Sequence, residues 1–246
     1  GSRDIRLYRS PGFELLVHAN EDIGRQLMFL GSYEKAESQY FRRHLSPTDV
    51  CFDVGGNVGY YSLLMAAAAP RGAVHVFEPI PLNAALIRAS LVLNSMAHVV
   101  VNECAVGATA GSTSFSVSRD SAYSSMRATG RVPESAVLPV AVITLDQYLQ
   151  AHNITRIDVL KIDVEGAEGM VIAGASGLLG NPEARPRQVL MELYDPNLAP
   201  FGTSTAELIS RMRALGYLPW VITSTRGDIE AHDAARHGRY YNVLFT

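Results

Sequence analysis

Asp53-Val54-Gly55-Gly56-Asn57-Val58-Gly59 follows the apolar run Val50-Cys51-Phe52 and precedes the apolar stretch Tyr60 to Ala69, so the chain reads here as strand, glycine turn and helix. Glycines let a backbone take positive φ and approach a ligand closely, and the N–H groups of the following helix N-terminus face whatever lies there. Such a turn suits a nucleoside-bearing cofactor. The residue order, Asp-x-Gly-x-x-x-Gly, is not the Gly-x-Gly-x-x-Gly of dinucleotide-binding turns. An acid opening the loop repels a pyrophosphate and suits an ammonium, which the amino-acid moiety of S-adenosylmethionine (SAM) carries. Asp53, Gly55, Gly56, Asn57, Gly59 and Tyr60 are therefore candidate cofactor contacts.

Outward from this turn, short β-rich runs alternate with helical ones. Val50 to Val54, Ala73 to Phe77, Val99 to Val101, Val159 to Ile162 and Val189 to Leu193 read as buried parallel strands. Tyr60 to Ala69, Pro81 to Leu93, Leu145 to Ala151, Ala167 to Leu179 and Ala206 to Leu215 carry helical spacing, with Thr144 as an N-cap and Pro81 in a first turn. This pattern predicts an α/β doubly wound sheet with helices on both faces. Thr113 to Val117 and Ala136 to Val142 flank the polar stretch Ser118 to Glu134, which predicts an inserted hairpin or flap over residues 113–142. Leu218 to Thr223 and Tyr241 to Phe245, with no helix between them, predict an antiparallel closing strand. Residues 1–45 read as helical cover, with Glu34 to Leu45 a helix.

The 246 residues and 26.7 kDa suit one α/β domain over residues 1–246, with no linker-like stretch. The apolar run Tyr60 to Ala69 stops at Pro70, too short to cross a bilayer, so no membrane span is expected. A net charge of −3 and scattered basic residues give a polyanion no footing and exclude nucleic acid as the expected partner. Cys51 and Cys104 lie in apolar runs without His or Cys neighbours, which predicts no zinc site and a reducing, cytoplasmic compartment. Gly1-Ser2 in place of an initiator Met reads as the remnant of a cleaved tag. A homo-oligomer is compatible with the composition.

Glu78 ends the second predicted strand nineteen positions after Gly59, where doubly wound nucleoside-binding folds place an acid on ribose hydroxyls. Its alternative is an acid that favours the dipole of the helix starting at Pro81. Pro79, Cys104 and Ala105 lie at the same sheet edge, the last two where backbone atoms meet an adenine ring. The other dense stretch is Leu160-Lys161-Ile162-Asp163-Val164-Glu165-Gly166-Ala167-Glu168, an apolar strand running into three carboxylates around a glycine. The switch-point rule sets it beside the first turn. Asp163 is thus both a cofactor contact and, with Glu165 and Glu192 of the fifth strand, a catalytic candidate. Converging acids orient a hydroxyl, take its proton or hold a divalent ion. No histidine falls in a motif; His152 and His237 reach the cleft only if their loops fold over it.

Asp53-Val-Gly-Gly-Asn-Val-Gly-Tyr-Tyr-Ser62, Phe77-Glu78-Pro79 with Asn83, and Leu160 to Glu168 together resemble the FkbM family of SAM-dependent methyltransferases, from about Ser32 to Ile222. The resemblance implies a Rossmann-like class I methyltransferase sheet of seven strands, mostly parallel with an antiparallel last strand. It also implies SAM at the carboxyl ends of the first, second and fourth strands, S-adenosylhomocysteine (SAH) as product, and transfer to the hydroxyl of a sugar, glycolipid or secondary metabolite. Gly56 stands where many members carry Ala, an exchange expected to leave the turn undisturbed.

The resulting expectation is an O-methyltransferase of a small molecule or glycan. A Mg²⁺-assisted version on a vicinal diol, with the ion bridging Asp163 and Glu192, is the alternative; the metal-free form is favoured. A nicotinamide-dependent oxidoreductase would need Gly-x-Gly-x-x-Gly or a Tyr-x-x-x-Lys pair, and a non-catalytic SAM-binding module would not need acids at two strand ends. Methylation of DNA bases would need Asn/Asp-Pro-Pro-aromatic after the fourth strand, whereas Asp195-Pro196-Asn197 follows the fifth.

Overall fold

The computed structural model describes residues 4–118, 120, 121, 124–126, 134–233 and 240–246. It opens on strands β1 (Ile5–Ser10) and β2 (Phe13–His18), then helices α1 (Asp22–Leu30) and α2 (Lys35–His44). The sheet begins with β3 (Val50–Val54), α3 (Tyr60–Ala68), β4 (Ala73–Phe77), α4 (Pro81–Leu93) and β5 (Val99–Asn102). A smaller sheet of β6 (Ala105–Val106), β7 (Gly111–Ser118) and β8 (Glu134–Ile143) follows, then α5 (Leu145–His152), β9 (Val159–Ile162), α6 (Glu168–Gly174) and α7 (Ser176–Leu179). The chain continues through β10 (Gln188–Tyr194), α8 (Asp195–Leu198), a 3₁₀ turn, α9 (Thr205–Ala214), β11 (Pro219–Ile222), β12 (Ile229–Ala231) and β13 (Tyr240–Phe245).

The main sheet runs β12-β11-β13-β10-β9-β3-β4-β5. From β10 to β5 every pair is parallel, while β13 is antiparallel to both β10 and β11. Among the described residues the expected seven strands are eight: the three-residue β12 pairs antiparallel with β11 at the edge, a run too short and too mixed in polarity to read as a strand. Alternation along the strands builds two cores. Cys51, Val74, Val76, Val159 and Leu190 pack under α2, α3 and α4. Phe52, Val54, Phe77, Leu160 and Met191 pack on α5, α6, α7 and α9.

Two local readings change. The start of the predicted helical cover is a β-hairpin, because Phe13, Leu15 and Val17 alternate inward after a turn at Gly12 with φ of +98°. It docks on α4, where Ser90 Oγ accepts from Leu16 N at 3.0 Å and Asn94 Oδ1 from Glu14 N at 2.8 Å. The predicted helix Ala167 to Leu179 is broken at Ala175, where Asp146 accepts from Gly177 N at 2.8 Å and Leu178 N at 2.9 Å and so starts a new helix.

The inserted hairpin exists as the antiparallel pair β7 and β8, though residues 119, 122, 123 and 127–133 of the predicted flap lie outside the described residues. Thr144 caps α5 by accepting from Gln147 N at 3.2 Å. Thr144→Ala is expected to cost about 1 kcal/mol in urea unfolding, the usual worth of such a cap. No described helix is long and apolar enough to cross a membrane.

Candidate active site

A cavity of about 820 Å³, counting space open to solvent, lies at the carboxyl ends of the parallel strands. Val54, Gly55 and Asn57 of the glycine turn line it, with Glu78, Pro79 and Ile80 after β4 and Ala105 and Val106 of β6. Asp163, Val164 and Glu165 after β9 and Glu192 of β10 close one end. The N-terminal segment contributes Asp22, Ile23 and Tyr33, and the inserted hairpin Phe115, Ser121, Ser124 and Met126. These last two groups were not foreseen as residues, since neither segment carries a motif.

The glycine turn works by close approach. Gly55 has φ of +88°, and a Cβ there would fall 1.8 Å from the Asp163 carbonyl oxygen, so the absence of a side chain lets β3 and β9 meet under the cavity. Its amides do not form an open donor nest. Gly55 N and Gly56 N donate to Phe77 O at 2.9 and 3.2 Å, Asn57 N to Glu78 Oε2 at 2.8 Å, and Gly59 N to Gly56 O at 2.8 Å. These four amides are spent within the turn and beside it and form no pyrophosphate cradle, in line with the acid that opens the loop.

Several predicted contacts do not line the cavity and have structural partners. Asp53 lies beneath the turn, not on the cavity: its Oδ2 accepts from Ser62 Oγ at 2.6 Å, and its fully buried carboxyl is pushed upward by burial while Lys161 pulls it down. Strand alternation turns it toward α3. A Cβ on Gly56 would come within 2.4 Å of Val76 Cγ1, and one on Gly59 within 2.9 Å of Ile87 Cγ1, so both glycines serve packing. The Gly56 to Ala exchange therefore disturbs the packing on β4. Tyr60 packs edge-on to Phe13 and Tyr33 and shares a hydrogen bond with Ser38, while Cys104 points into the core beside β4. Of the pair Cys104 and Ala105, only Ala105 lines the cavity.

Glu78 stands at the cavity and at the start of α4 alike. It lines the cavity, and its Oε1 accepts from Ile80 N at 2.9 Å and Asn83 Nδ2 at 3.4 Å. Burial lifts its carboxyl to about 8 against the pull of these donors. Glu168 does not reach the cavity; it accepts from Val164 N at 3.1 Å and Gly166 N at 3.2 Å, bracing the loop, and burial lifts it to about 7. His152 packs against Tyr148 with the rings tilted and does not line the cavity, and His237 lies outside the described residues.

One oxygen from each of Asp163, Glu165 and Glu192 lies within 4.8 Å of the others. Asp163 Oδ2 accepts from the buried Lys161 Nζ at 2.9 Å. Burial opposes the charge on Lys161, but Asp163, Asp53 and Glu34 hold its ammonium above the ordinary range. The ammonium also rests 4.7 Å from the centre of the Tyr61 ring. Tyr61 in turn donates to Glu34 at 2.5 Å, and burial lifts Glu34, a half-buried residue, to about 7. Lys161 could be suspected from sequence, as a lysine inside an apolar strand must find partners. Glu34 and Tyr61 carried no such sign.

Glu165 takes φ of +54°, unusual for a residue with a side chain, and is held there from two sides. Asn197 Nδ2 donates to its Oε2 at 2.5 Å, and Ser125 Oγ donates to its carbonyl at 2.9 Å. The next residue, Gly166, is pressed against Asn197, whose carbonyl oxygen would lie 2.1 Å from an added Cβ. The Asp195-Pro196-Asn197 run thus serves the loop after β9. Replacing Asn197 by Leu is expected to remove its hydrogen bond to the buried Glu165 and lower stability by about 1 to 3 kcal/mol, the usual cost of losing a buried hydrogen-bond donor. Urea unfolding measures it.

Residues 53–219 match the methyltransferase FkbM domain. The chain belongs to the FkbM methyltransferase family. It is a SAM-dependent methyltransferase. Over 243 residues this FkbM-family chain is 27% identical to 31-O-demethyl-FK506 methyltransferase FkbM of Streptomyces tacrolimicus, covering 87% of this chain and 89% of that protein. It is 26% identical over 190 residues to Methyltransferase 1 of Beauveria bassiana, covering 70% and 72%. Among solved structures, methyltransferase FkbM from Methylobacillus flagellatus superposes with a TM-score of 0.55 at 14% identity; it covers 88% of this chain, which spans only 49% of that one. A SAM-dependent methyltransferase from Agrobacterium tumefaciens gives 0.52 at 9% identity, covering all of this chain and 70% of that chain. These two likenesses show a shared α/β methyltransferase fold with a mixed sheet.

The raised carboxyls give this FkbM-family protein an unusual pH response. Glu34, Glu168 and Glu78 sit at about 7, 7 and 8 in the fold, against 4.5 when exposed. The native state therefore binds more protons than the unfolded chain between these values, so their contribution to stability is full below about pH 4.5 and lost as pH rises through 7 to 8. Urea unfolding of the ligand-free protein at pH 5.5, 7 and 8.5 is expected to show decreasing stability, and Glu78→Gln to flatten the upper part. A rise across that range would contradict the assignment.

Proposed function

We propose that the chain transfers the methyl group of SAM to a hydroxyl oxygen of a small molecule or glycan. The observation that carries this reading is the convergence of Asp163, Glu165 and Glu192 at one end of a cavity whose other end holds Glu78. Bound SAM supplies a methyl group on a positively charged sulfonium. Glu78, Pro79 and Ala105 suit its adenosine, the Gly55 approach makes room for its chain, and the acidic end suits its positive charges. Turn amides turned inward and a cavity rich in carboxylates fit this cation and disfavour a pyrophosphate.

An alcohol is a poor nucleophile while it keeps its proton, and a carboxylate within hydrogen-bond reach adds roughly 10² to 10⁴-fold by removing it. Holding the reacting oxygen in line contributes about 7 to 11 kcal/mol. Asp163, Glu165 and Glu192 are the groups proposed to orient the hydroxyl and take its proton. One relative is named for its action on 31-O-demethyl-FK506, which supports a small-molecule acceptor.

The test is incubation with SAM and a panel of hydroxylated compounds, among them 31-O-demethyl-FK506, polyketide aglycones and simple glycosides, read by mass spectrometry. The expected result is a product heavier by one methylene, with the new methyl on oxygen. Methylation on nitrogen or carbon alone would overturn the proposed acceptor. Failure to bind SAM or SAH in calorimetry would overturn the cofactor site.

The three acids also favour a second, Mg²⁺-assisted reading. Against it, Asp163 already has the Lys161 ammonium at 2.9 Å and Glu165 the Asn197 amide at 2.5 Å. Turnover is therefore expected to persist in excess EDTA; loss restored by Mg²⁺ would favour the metal.

A further inference from the structure

The three acids at the end of the cavity are not equally provided for. Asp163 is paired with Lys161, and Glu165 accepts from Asn197. Glu192 lines the cavity at only 8% exposure, and among the described residues no protein group donates a hydrogen bond to it. A buried carboxyl without a donor is costly and is retained where a ligand completes it. Its surroundings state the charge of that ligand. Burial pushes its carboxyl well above the ordinary range, and the charges that add to the push are the carboxylates of Asp163, Glu165, Glu168 and Glu34. A cation in the cavity relieves this repulsion and a neutral ligand does not.

Resting on the reading of the cavity as a SAM site, the geometry assigns Glu192 as the specificity-determining residue that makes the site prefer the positively charged methyl donor over its neutral-sulfur product. SAM and SAH share the adenosine, the carboxylate and the ammonium. They differ in the methyl group and the sulfonium charge. A residue facing the shared ammonium would serve both ligands alike, whereas one that answers the sulfonium charge serves only the donor. Once the methyl group has left, the sulfonium charge is gone while the ammonium remains, so Glu192 loses its counter-charge and the product is held less tightly.

Isothermal calorimetry on the wild type and Glu192→Gln, with SAM, SAH and sinefungin, tests this without any acceptor. Sinefungin carries an amine in the region of the sulfonium methyl and is cationic there. In Glu192→Gln the affinities for SAM and sinefungin are expected to fall about tenfold, equivalent to about 1.4 kcal/mol, while that for SAH stays within about twofold. Unchanged SAH binding also shows that the variant is folded. An equal loss for all three ligands, or no loss for any, overturns the inference. If Glu192→Gln proves unstable, Glu192→Met, of similar length and uncharged, is read by the same criterion. A wild type that binds none of the three overturns the SAM reading itself, which separates the two failures.

Discussion

Gly55→Ala is expected to abolish SAM binding and to cost at least about 3 kcal/mol of stability, since overpacking and a disallowed φ each contribute about 1 to 3 kcal/mol. The new Cβ would stand 1.8 Å from the Asp163 carbonyl oxygen and 2.8 Å from its carbonyl carbon. Neither is the end of a flexible side chain. The contact is relieved only if the ends of β3 and β9 part, and Asp163 N currently donates to Val54 O at 2.9 Å across that junction. Parting them moves Asp163 and Glu165 away from the turn and widens the cavity at the end where the cofactor's charges are proposed to lie. Gly31→Ala is the control: its φ is +68°, but an added Cβ meets nothing within 4 Å, so it carries backbone strain alone. Calorimetry with SAH and urea unfolding of both variants decide the matter. A Gly55→Ala protein that binds SAH as the wild type does would show that the close approach is not needed.

Asp163→Ala is expected to lower methyl transfer by about 10² to 10⁴-fold, the range for loss of a positioned proton acceptor, while the fold persists. The fold should survive because Lys161, the buried cation that loses its partner, still has Asp53 and Glu34 among the charges that sustain it. The backbone bond from Asp163 N to Val54 O does not involve the side chain. Turnover on an acceptor found in the hydroxyl panel, together with the circular-dichroism melting curve, reads both halves. Undiminished turnover would remove Asp163 from the reaction and leave Glu165 and Glu192 to carry it.

Much of the scaffold was legible along the chain. Val50–Val54, Ala73–Phe77 and Val159–Ile162 are strands over the predicted residues, because each is a largely apolar run ended by a glycine or an acid. The same runs put Glu78, Asp163 and Glu192 at one sheet edge, since parallel strands joined by helices bring their carboxyl ends together. Less legible was the hairpin at the N-terminus, where the alternation of Phe13, Leu15 and Val17 is visible but short and interrupted by Leu16. The division of the 167–179 helix depends on Asp146, which is 31 residues from Gly177 in sequence and in hydrogen-bond contact in space. No local pattern encodes such a partner.

The sequence by itself determined the sheet, the glycine turn and which acids stand at the strand ends, because strand and helix periodicity are local properties of a few consecutive side chains. Tertiary structure decided what each acid does. Asp53 turns to Ser62, Asp163 to Lys161, Glu165 to Asn197, and Glu192 remains without a donor among the described residues. These partners lie 9, 2 and 32 positions from their acids, and only the closure of β3, β9 and β10 into one sheet sets the groups in a common low-dielectric space. There burial and neighbouring charge, which no run of residues records, decide which carboxylate is satisfied by the protein and which is left for a ligand.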